Sequence, residues 1–177
     1  VADSRIELQS DDERLAGDAA KTAATYREIG CRGFSGGNPF DIESGADIDR
    51  AVEAVAAFAD RLADHGVTLH YHNHAHEFHE VDGSAFFDEL AETDVTFEVD
   101  VGHVERGGRD PAAVLRDLSG QIDIVHVSDV DEAGNVVELG DGLVDFEAVA
   151  AAARDAGAEW LVYEYNQTTD HEASLVH

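Results

Sequence analysis

Short apolar segments that end in histidine or carboxylate side chains are the feature of this sequence that most restricts its fold. The clearest covers residues 67–78, VTLHYHNHAHEF, in which Val67, Leu69 and Tyr71 alternate with polar residues as in a β-strand. Three later segments of the same kind cover residues 95–100, 122–129 and 160–165. Until their last residues, the side chains on both faces of these strands are apolar, which is typical of strands buried on both faces of a parallel sheet.

Helices are predicted between these strands. Asp47 or Asp49 can cap a helix that runs to His65, and Asp145 can cap another. The pattern predicts helices at 11–29, 47–65, 84–92, 111–118 and 146–156, further strands at 5–10 and 31–35, and a loop at 102–110. Strands that alternate with helices indicate βαβ units. Because no linker interrupts this order, residues 1–177 are expected to form a single domain.

The composition excludes several classes of protein. The chain has 177 residues, of which 44% are hydrophobic, so it can form a core and is not expected to be disordered. No apolar run approaches the roughly 20 residues of a membrane span, and no signal-peptide pattern opens the chain. Cys31 is the only cysteine, which excludes a disulfide framework. We therefore expect a cytoplasmic protein.

The net charge is the most unusual property of the composition. Asp and Glu number 39 against 11 Lys and Arg, which gives −28, and Lys21 is the only lysine. Nucleic acids and anionic membranes are bound through Lys and Arg, so neither is expected as a partner. Carboxylate-rich surfaces of this kind are typical of salt-adapted proteins, in which counter-ions screen the repulsion between like charges. A halophilic protein is therefore the prediction, and an ordinary acidic protein is the alternative.

The polar residues at the strand ends form a candidate metal site. In a closed parallel barrel, the carboxyl ends of all strands lie on one face. Four strands would bring His72, Asp100, His126 and Glu164 together there, with Glu98 two residues before Asp100. Imidazole and carboxylate ligands suit Mn²⁺, Co²⁺, Fe²⁺ or Zn²⁺, and the carboxylates also suit Mg²⁺. The pattern therefore predicts one divalent metal ion.

Each of these residues also has a structural alternative. The His-rich stretch could be a solvated loop, Asp100 could cap a helix or a turn, and His126 could be a core histidine bonded to a backbone carbonyl. Glu164 is harder to explain without a cation, because an unpaired carboxylate in an apolar strand is costly. His65 and His171 have no such context and are interpreted as surface residues.

Five motifs, in order, resemble the sugar phosphate isomerase/epimerase superfamily of xylose isomerase-like TIM barrels. They are HYHNHAHEF, FEVDVGHVERGGRDP, IVHVSD, LGDGLVDF and LVYEYN, within residues 30–166. The resemblance implies a metal bound at four strand ends, with Asp100, His126 and Glu164 as ligands. It aligns His72 with the fourth ligand, often Glu in relatives, and leaves His74 and Glu77 as rivals. His103 matches a histidine on the substrate side.

Two features depart from the family pattern. Ser128 stands where many relatives have a lysine, which removes a cation that could hold a substrate oxygen or phosphate. The chain is also short, since a complete barrel takes about 200 to 250 residues or more. We therefore expect an α/β fold of the (β/α)8 TIM-barrel type that lacks its first two or three units, with five or six units present.

The predicted function is a metal-dependent isomerase or epimerase of a small sugar or keto-sugar, or a dehydratase. It would abstract a proton α to a carbonyl through an enediolate. Glu164 would be a ligand that also acts as base, with Glu77, His74 or His103 as its partner. One alternative is a phosphodiester hydrolase of the endonuclease IV type. The other is an inactive fragment, whose open sheet edges would favour association into a homo-oligomer.

Overall fold

The computed structural model describes residues 19–37, 40–165, 167–168 and 174. The strand predicted at 5–10 and the first part of the helix predicted at 11–29 lie outside these residues. The described residues divide into two compact units, one within residues 1–73 and 77–97 and the other within residues 74–76 and 98–177. The expectation of a single domain over the whole chain stays a prediction.

The first unit contains a parallel pair of strands with helices beside it. Its elements are α1 (Ala19–Glu28), β1 (Gly33–Gly36), α2 (Gly45–Ala63), β2 (Thr68–His72), β3 (Glu80–Val81), β4 (Ser84–Ala85), α3 (Phe86–Ala91) and the start of β5 (Thr96–Asp100). The strand order is β1-β2-β5, and Phe34 of β1 lies opposite Leu69 of β2 in parallel register. A 3-10 helix, Ala75–Phe78, follows β2.

Aromatic and aliphatic side chains form the core of this unit. The ring of Phe34 meets Tyr26 and Phe58 edge to face, at centroid distances of 5.3 and 6.1 Å. Helix α2 turns one apolar face inward, because its buried residues recur every three or four positions: Ile48, Ala51, Val55, Phe58 and Leu62. The amphipathic helix predicted before the His-rich strand is therefore confirmed, with bounds close to those expected.

The second unit repeats the alternation of strand and helix. Its elements are the end of β5, α4 (Val101–Arg106), α5 (Pro111–Asp117), β6 (Ile122–Val127), β7 (Asp129–Val130), β8 (Val136–Val137), α6 (Phe146–Ala156) and β9 (Trp160–Tyr163). The strand order is β5-β6-β9, and His126 of β6 lies opposite Val162 of β9 in parallel register. The order places the ends of β5, β6 and β9 side by side, where the sequence predicted the functional groups.

One local prediction is wrong. Residues 102–110 were expected to form a loop, but Val101–Arg106 is the helix α4. It starts because the side chain of Asp100 accepts a hydrogen bond from the backbone N–H of His103 at 2.9 Å. The helix then buries Val101, Gly102 and Val104.

Among the helices of the described residues, none has the length and apolar character that a membrane crossing requires.

Candidate metal centre

Three of the four predicted ligands come together in the second unit. Asp100 ends β5, His126 lies in β6 and Glu164 follows β9 directly. A ligand atom of each lies within 4.8 Å of those of the other two. Asp100 and His126 are 2% and 3% exposed, whereas the side chain of Glu164 is 24% exposed. The backbone N–H of Glu164 donates to the carbonyl oxygen of Val127 at 3.1 Å, which fixes the end of β9 against β6.

Asp100 is held in place by two donors on the same oxygen. Its Oδ1 accepts from the backbone N–H of His103 at 2.9 Å and from the hydroxyl of Ser128 at 2.6 Å. The close approach of Ser128 depends on Gly102, because a Cβ at that position would lie 2.2 Å from the Ser128 Oγ. The alternative that Asp100 caps a helix is thus confirmed. The cap also orients the carboxylate, so both roles are compatible.

His126 lies between two carboxylates. Its Nδ1 is 2.5 Å from the Oε2 of Glu164, and its Nε2 forms an ion pair with the Oε1 of Glu98 at 2.7 Å. Burial alone lowers the pKa of His126, but hydrogen bonds and charge from Glu164 and Glu98 outweigh it and raise the pKa to about 10. The imidazole is therefore cationic at neutral pH when no other cation is bound between these carboxylates.

Glu98 is a residue of the site to which the sequence analysis assigned no role, although it placed Glu98 two residues before Asp100. It is 1% exposed and lies in β5, two residues before Asp100. Alternation along a strand places Glu98 and Asp100 on the same side, which was the signal available in the sequence. The contact with His126 was not predictable, since 28 residues separate it from Glu98.

The two predicted histidines outside the cluster lie in the same unit. The rings of His74 and His103 have centroids 5.1 Å apart, and His74 stacks on His76 at 5.7 Å. His103 lies in the first turn of α4, and its backbone is the one bonded to Asp100. Two of the candidate proton-transfer residues are therefore brought together.

The two remaining predicted site residues, His72 and Glu77, lie in the first unit. His72 is 2% exposed at the carboxyl end of β2. Glu77 is 1% exposed in the 3-10 helix and accepts a hydrogen bond from the hydroxyl of Tyr71 at 2.5 Å. The assignment of His72 as the fourth ligand stays a prediction. For Glu77, the buried pair with Tyr71 is a structural environment that the sequence did not reveal.

Asp129 anchors a loop that the sequence placed after the third strand. It is fully buried, and its carboxylate accepts hydrogen bonds from the backbone N–H groups of Gly140, Gly142 and Val144 at 2.9, 3.0 and 3.1 Å. A Cβ at Gly142 would lie 2.3 Å from the Asp129 Oδ1, so only glycine allows this approach. The IVHVSD and LGDGLVDF motifs are therefore parts of one structure.

A cavity of about 320 Å³ lies elsewhere in the second unit. Its lining includes Glu105, Arg109, Asp110, Leu143 and Asp145. The pKa of Glu105 is raised by burial and by the charges of Asp110 and Asp129. None of the three clustered ligands lines this cavity, so it provides positions for control substitutions.

Comparison with known proteins identifies the family. The model of the xylose isomerase-like TIM barrel family matches residues 5–176, so this chain belongs to that family. The resemblance seen in the motifs and the predicted fold class are confirmed. Among proteins with curated functions, none matches the sequence.

Solved structures show the same fold. A sugar phosphate isomerase/epimerase from Parabacteroides distasonis ATCC 8503 has a TM-score of 0.80 and 19% identity, over 99% of this chain and 68% of that one. An L-ribulose 3-epimerase has a TM-score of 0.61 and 24% identity, over 92% and 58%. A probable 3-DHS dehydratase from Bacillus anthracis has a TM-score of 0.67 and 16% identity, over 97% and 70%. The chain therefore spans 58–70% of the lengths of these proteins.

Proposed function

We propose that this chain carries the metal site of a sugar isomerase or epimerase that works by proton abstraction α to a carbonyl. The observation that supports it is the cluster of Asp100, His126 and Glu164, whose ligand atoms lie within 4.8 Å of one another. Membership of the xylose isomerase-like family supports a sugar as substrate, as do the names of the similar structures. The dehydratase among them makes loss of water a variant of the same chemistry.

The donor set fits a divalent ion. One imidazole and two carboxylates provide the mixed nitrogen and oxygen ligands that suit Mn²⁺, Co²⁺, Fe²⁺ or Zn²⁺, and Mg²⁺ is the choice if oxygen ligands dominate. Buried carboxylates that lie close together repel each other unless a cation lies between them. His72 is the fourth ligand of the proposal, because the resemblance of the motifs aligns it with that position.

In this proposal, Glu164 is the base. It is more exposed than Asp100 or His126, so its carboxylate is the one that a substrate carbon can approach. A divalent ion at this site supplies a positive charge that stabilises the enediolate oxygens. Glu164 takes the proton from the α carbon, and the C–H electron pair becomes the C=C bond as the carbonyl oxygen becomes an oxyanion.

The return of the proton decides the product. Delivery to the opposite face of the same carbon gives the epimer, delivery to the former carbonyl carbon gives the isomer, and loss of a β-hydroxyl gives the dehydrated product. His103 and His74 are the preferred donors, because their rings are neighbours and both are only partly buried. Glu77 is less suited, since it is buried and bonded to Tyr71.

Ser128 restricts the class of substrate that we expect. Its hydroxyl donates to Asp100, and it provides no positive charge where many relatives have a lysine. Together with the net charge of −28, this favours a neutral keto-sugar over a sugar phosphate, because a phosphate would need a cationic side chain to offset its charge.

Exchange of the α proton with solvent tests the proposal. The protein is loaded with Mn²⁺ and incubated with a panel of ketohexoses and ketopentoses in D₂O, and deuterium incorporation is measured by mass spectrometry after chelation of the metal. We expect exchange that EDTA abolishes and that Asp100→Ala and His126→Ala remove, whereas Glu105→Gln retains it. Cleavage of a phosphodiester without any sugar exchange would favour the hydrolase alternative, and metal binding with neither activity would favour the inactive fragment.

We also propose a cytoplasmic location, adaptation to high salt and self-association, of which the first two rest on the composition. Gel filtration in low and in molar KCl would distinguish a monomer from an oligomer under both conditions.

A further inference from the structure

We infer that Glu98 is a positioning residue, which holds the proton on Nε2 of His126 and so presents Nδ1 of that ring to the metal. This inference rests on the proposed function, because it assigns the orientation of one ligand of the proposed metal. No step of the sugar chemistry requires Glu98 itself, and nothing in the sequence motifs gave it a role.

The two ring nitrogens of His126 have different neighbours. The Nδ1 atom lies 2.5 Å from Glu164, a member of the ligand cluster, while Nε2 lies 2.7 Å from Glu98. Among the described residues, Glu98 does not belong to the group whose ligand atoms lie within 4.8 Å of one another. The two nitrogens therefore contact different carboxylates: Nδ1 lies beside a member of the cluster, and Nε2 lies beside a carboxylate outside it.

An imidazole that binds a metal keeps a single proton, on the nitrogen that does not bind. A carboxylate beside that nitrogen fixes the tautomer and the ring orientation, and it makes the other nitrogen more basic. Glu98 meets this requirement: it is 1% exposed, and β5 carries it on the same side as Asp100. A buried carboxylate needs a partner to offset its desolvation, and His126 is that partner.

A purely structural ion pair between Glu98 and His126 makes a different prediction. In that case the Glu98→Gln variant would be less stable, but the folded variant would bind metal like the wild type. The positioning role instead predicts a change in metal affinity and in the tautomer of His126, neither of which depends on the overall stability.

The first test is a titration of the whole chain with Zn²⁺ as the probe, by isothermal calorimetry in two buffers at several pH values. The affinities to be compared are those for the protein with neutral His126, obtained after correction for the proton that metal binding releases. Glu98→Gln should weaken binding about 10- to 100-fold. The matched control is Glu105→Gln, which makes the same substitution in the same unit, at a cavity that none of the three clustered ligands lines. It should change binding less than about twofold. Equal affinities of wild type and Glu98→Gln would refute the inference and leave the proposed function intact.

The second test needs no variant. Nitrogen-15 NMR of the Zn²⁺-loaded wild type reports which nitrogen of His126 carries the proton, because protonated and metal-bound nitrogens have different chemical shifts. We expect a protonated Nε2 and a zinc-bound Nδ1, and the reverse assignment would overturn the inference even if Glu98→Gln fails to fold. If the wild type binds no Zn²⁺, Mn²⁺ or Co²⁺, the proposed function fails and this inference fails with it.

Discussion

Metal binding to this chain should displace a proton from His126, and this can be measured without knowing the substrate. In the metal-free protein, Glu98 and Glu164 raise the pKa of His126 to about 10, whereas a ligand imidazole must release the proton on the nitrogen that binds. At pH 7 the pKa lies about three pH units above the solution pH, so displacement of this proton costs about 4 kcal/mol. The apparent affinity at pH 7 is therefore about a thousandfold below its value in strong base.

The expected result is a rise in apparent affinity of about tenfold per pH unit from pH 6.5 to 8.5. Competition with a chelator of known pH dependence measures this slope. Calorimetry in two buffers with different heats of ionisation counts the protons directly and should find close to one more proton released by the wild type than by His126→Asn. An affinity that is flat across this range, with no proton passed to the buffer, would contradict the assignment of His126 as a ligand that is protonated in the absence of metal.

Four further outcomes are expected. The raised pKa of His126 stabilises the fold fully below pH 6.5 and less and less as the pH rises towards 10, so the free energy of unfolding of the metal-free protein should fall by up to about 5 kcal/mol across that range. Urea unfolding at pH 6.5 and at pH 10 measures this difference, and equal free energies of unfolding would contradict it. Gly102→Ala should push Ser128 off Asp100 and cost about 1–3 kcal/mol, and an unchanged melting temperature would speak against that contact. Asp129→Ala should release the loop at 140–144, so a protease should cut this loop faster in the variant than in the wild type. Equal rates of cleavage would contradict the anchoring role of Asp129. The melting temperature should rise from low to molar KCl as the charge of −28 is screened, and a flat or falling curve would remove the argument for salt adaptation.

The sequence predicted the parts of the site that follow from local pattern. Strands buried on both faces must be apolar, so a histidine or carboxylate at the end of such a strand stands out without any structural information. Asp100, His126 and Glu164 were found in this way, and the structure brings their ligand atoms together. The helix from Phe146 to Ala156 was also predicted to the residue, because Asp145 and Gly157 mark its two ends.

The sequence could not supply what depends on side-chain direction between distant residues. The contact of Glu98 with His126 joins two strands, and the bonds of Asp129 to the loop at 140–144 join two motifs. Helix α4 was missed for a different reason. The glycines at 102, 107 and 108 indicated a loop, whereas Gly102 is there because Ser128 leaves no space for a larger residue.

The two bonds on Asp100 affect how substitutions at this position must be interpreted. The side chain begins a helix and is also a proposed ligand, and alanine removes both abilities at once. Ser and Asn begin helices about as well as Asp but lack its charge. A series of Ala, Ser and Asn at position 100 would therefore separate folding from metal chemistry. Glu keeps the charge but is a poorer helix start, so aspartate is the residue that meets both demands, and natural variation there should be narrower than at Glu164.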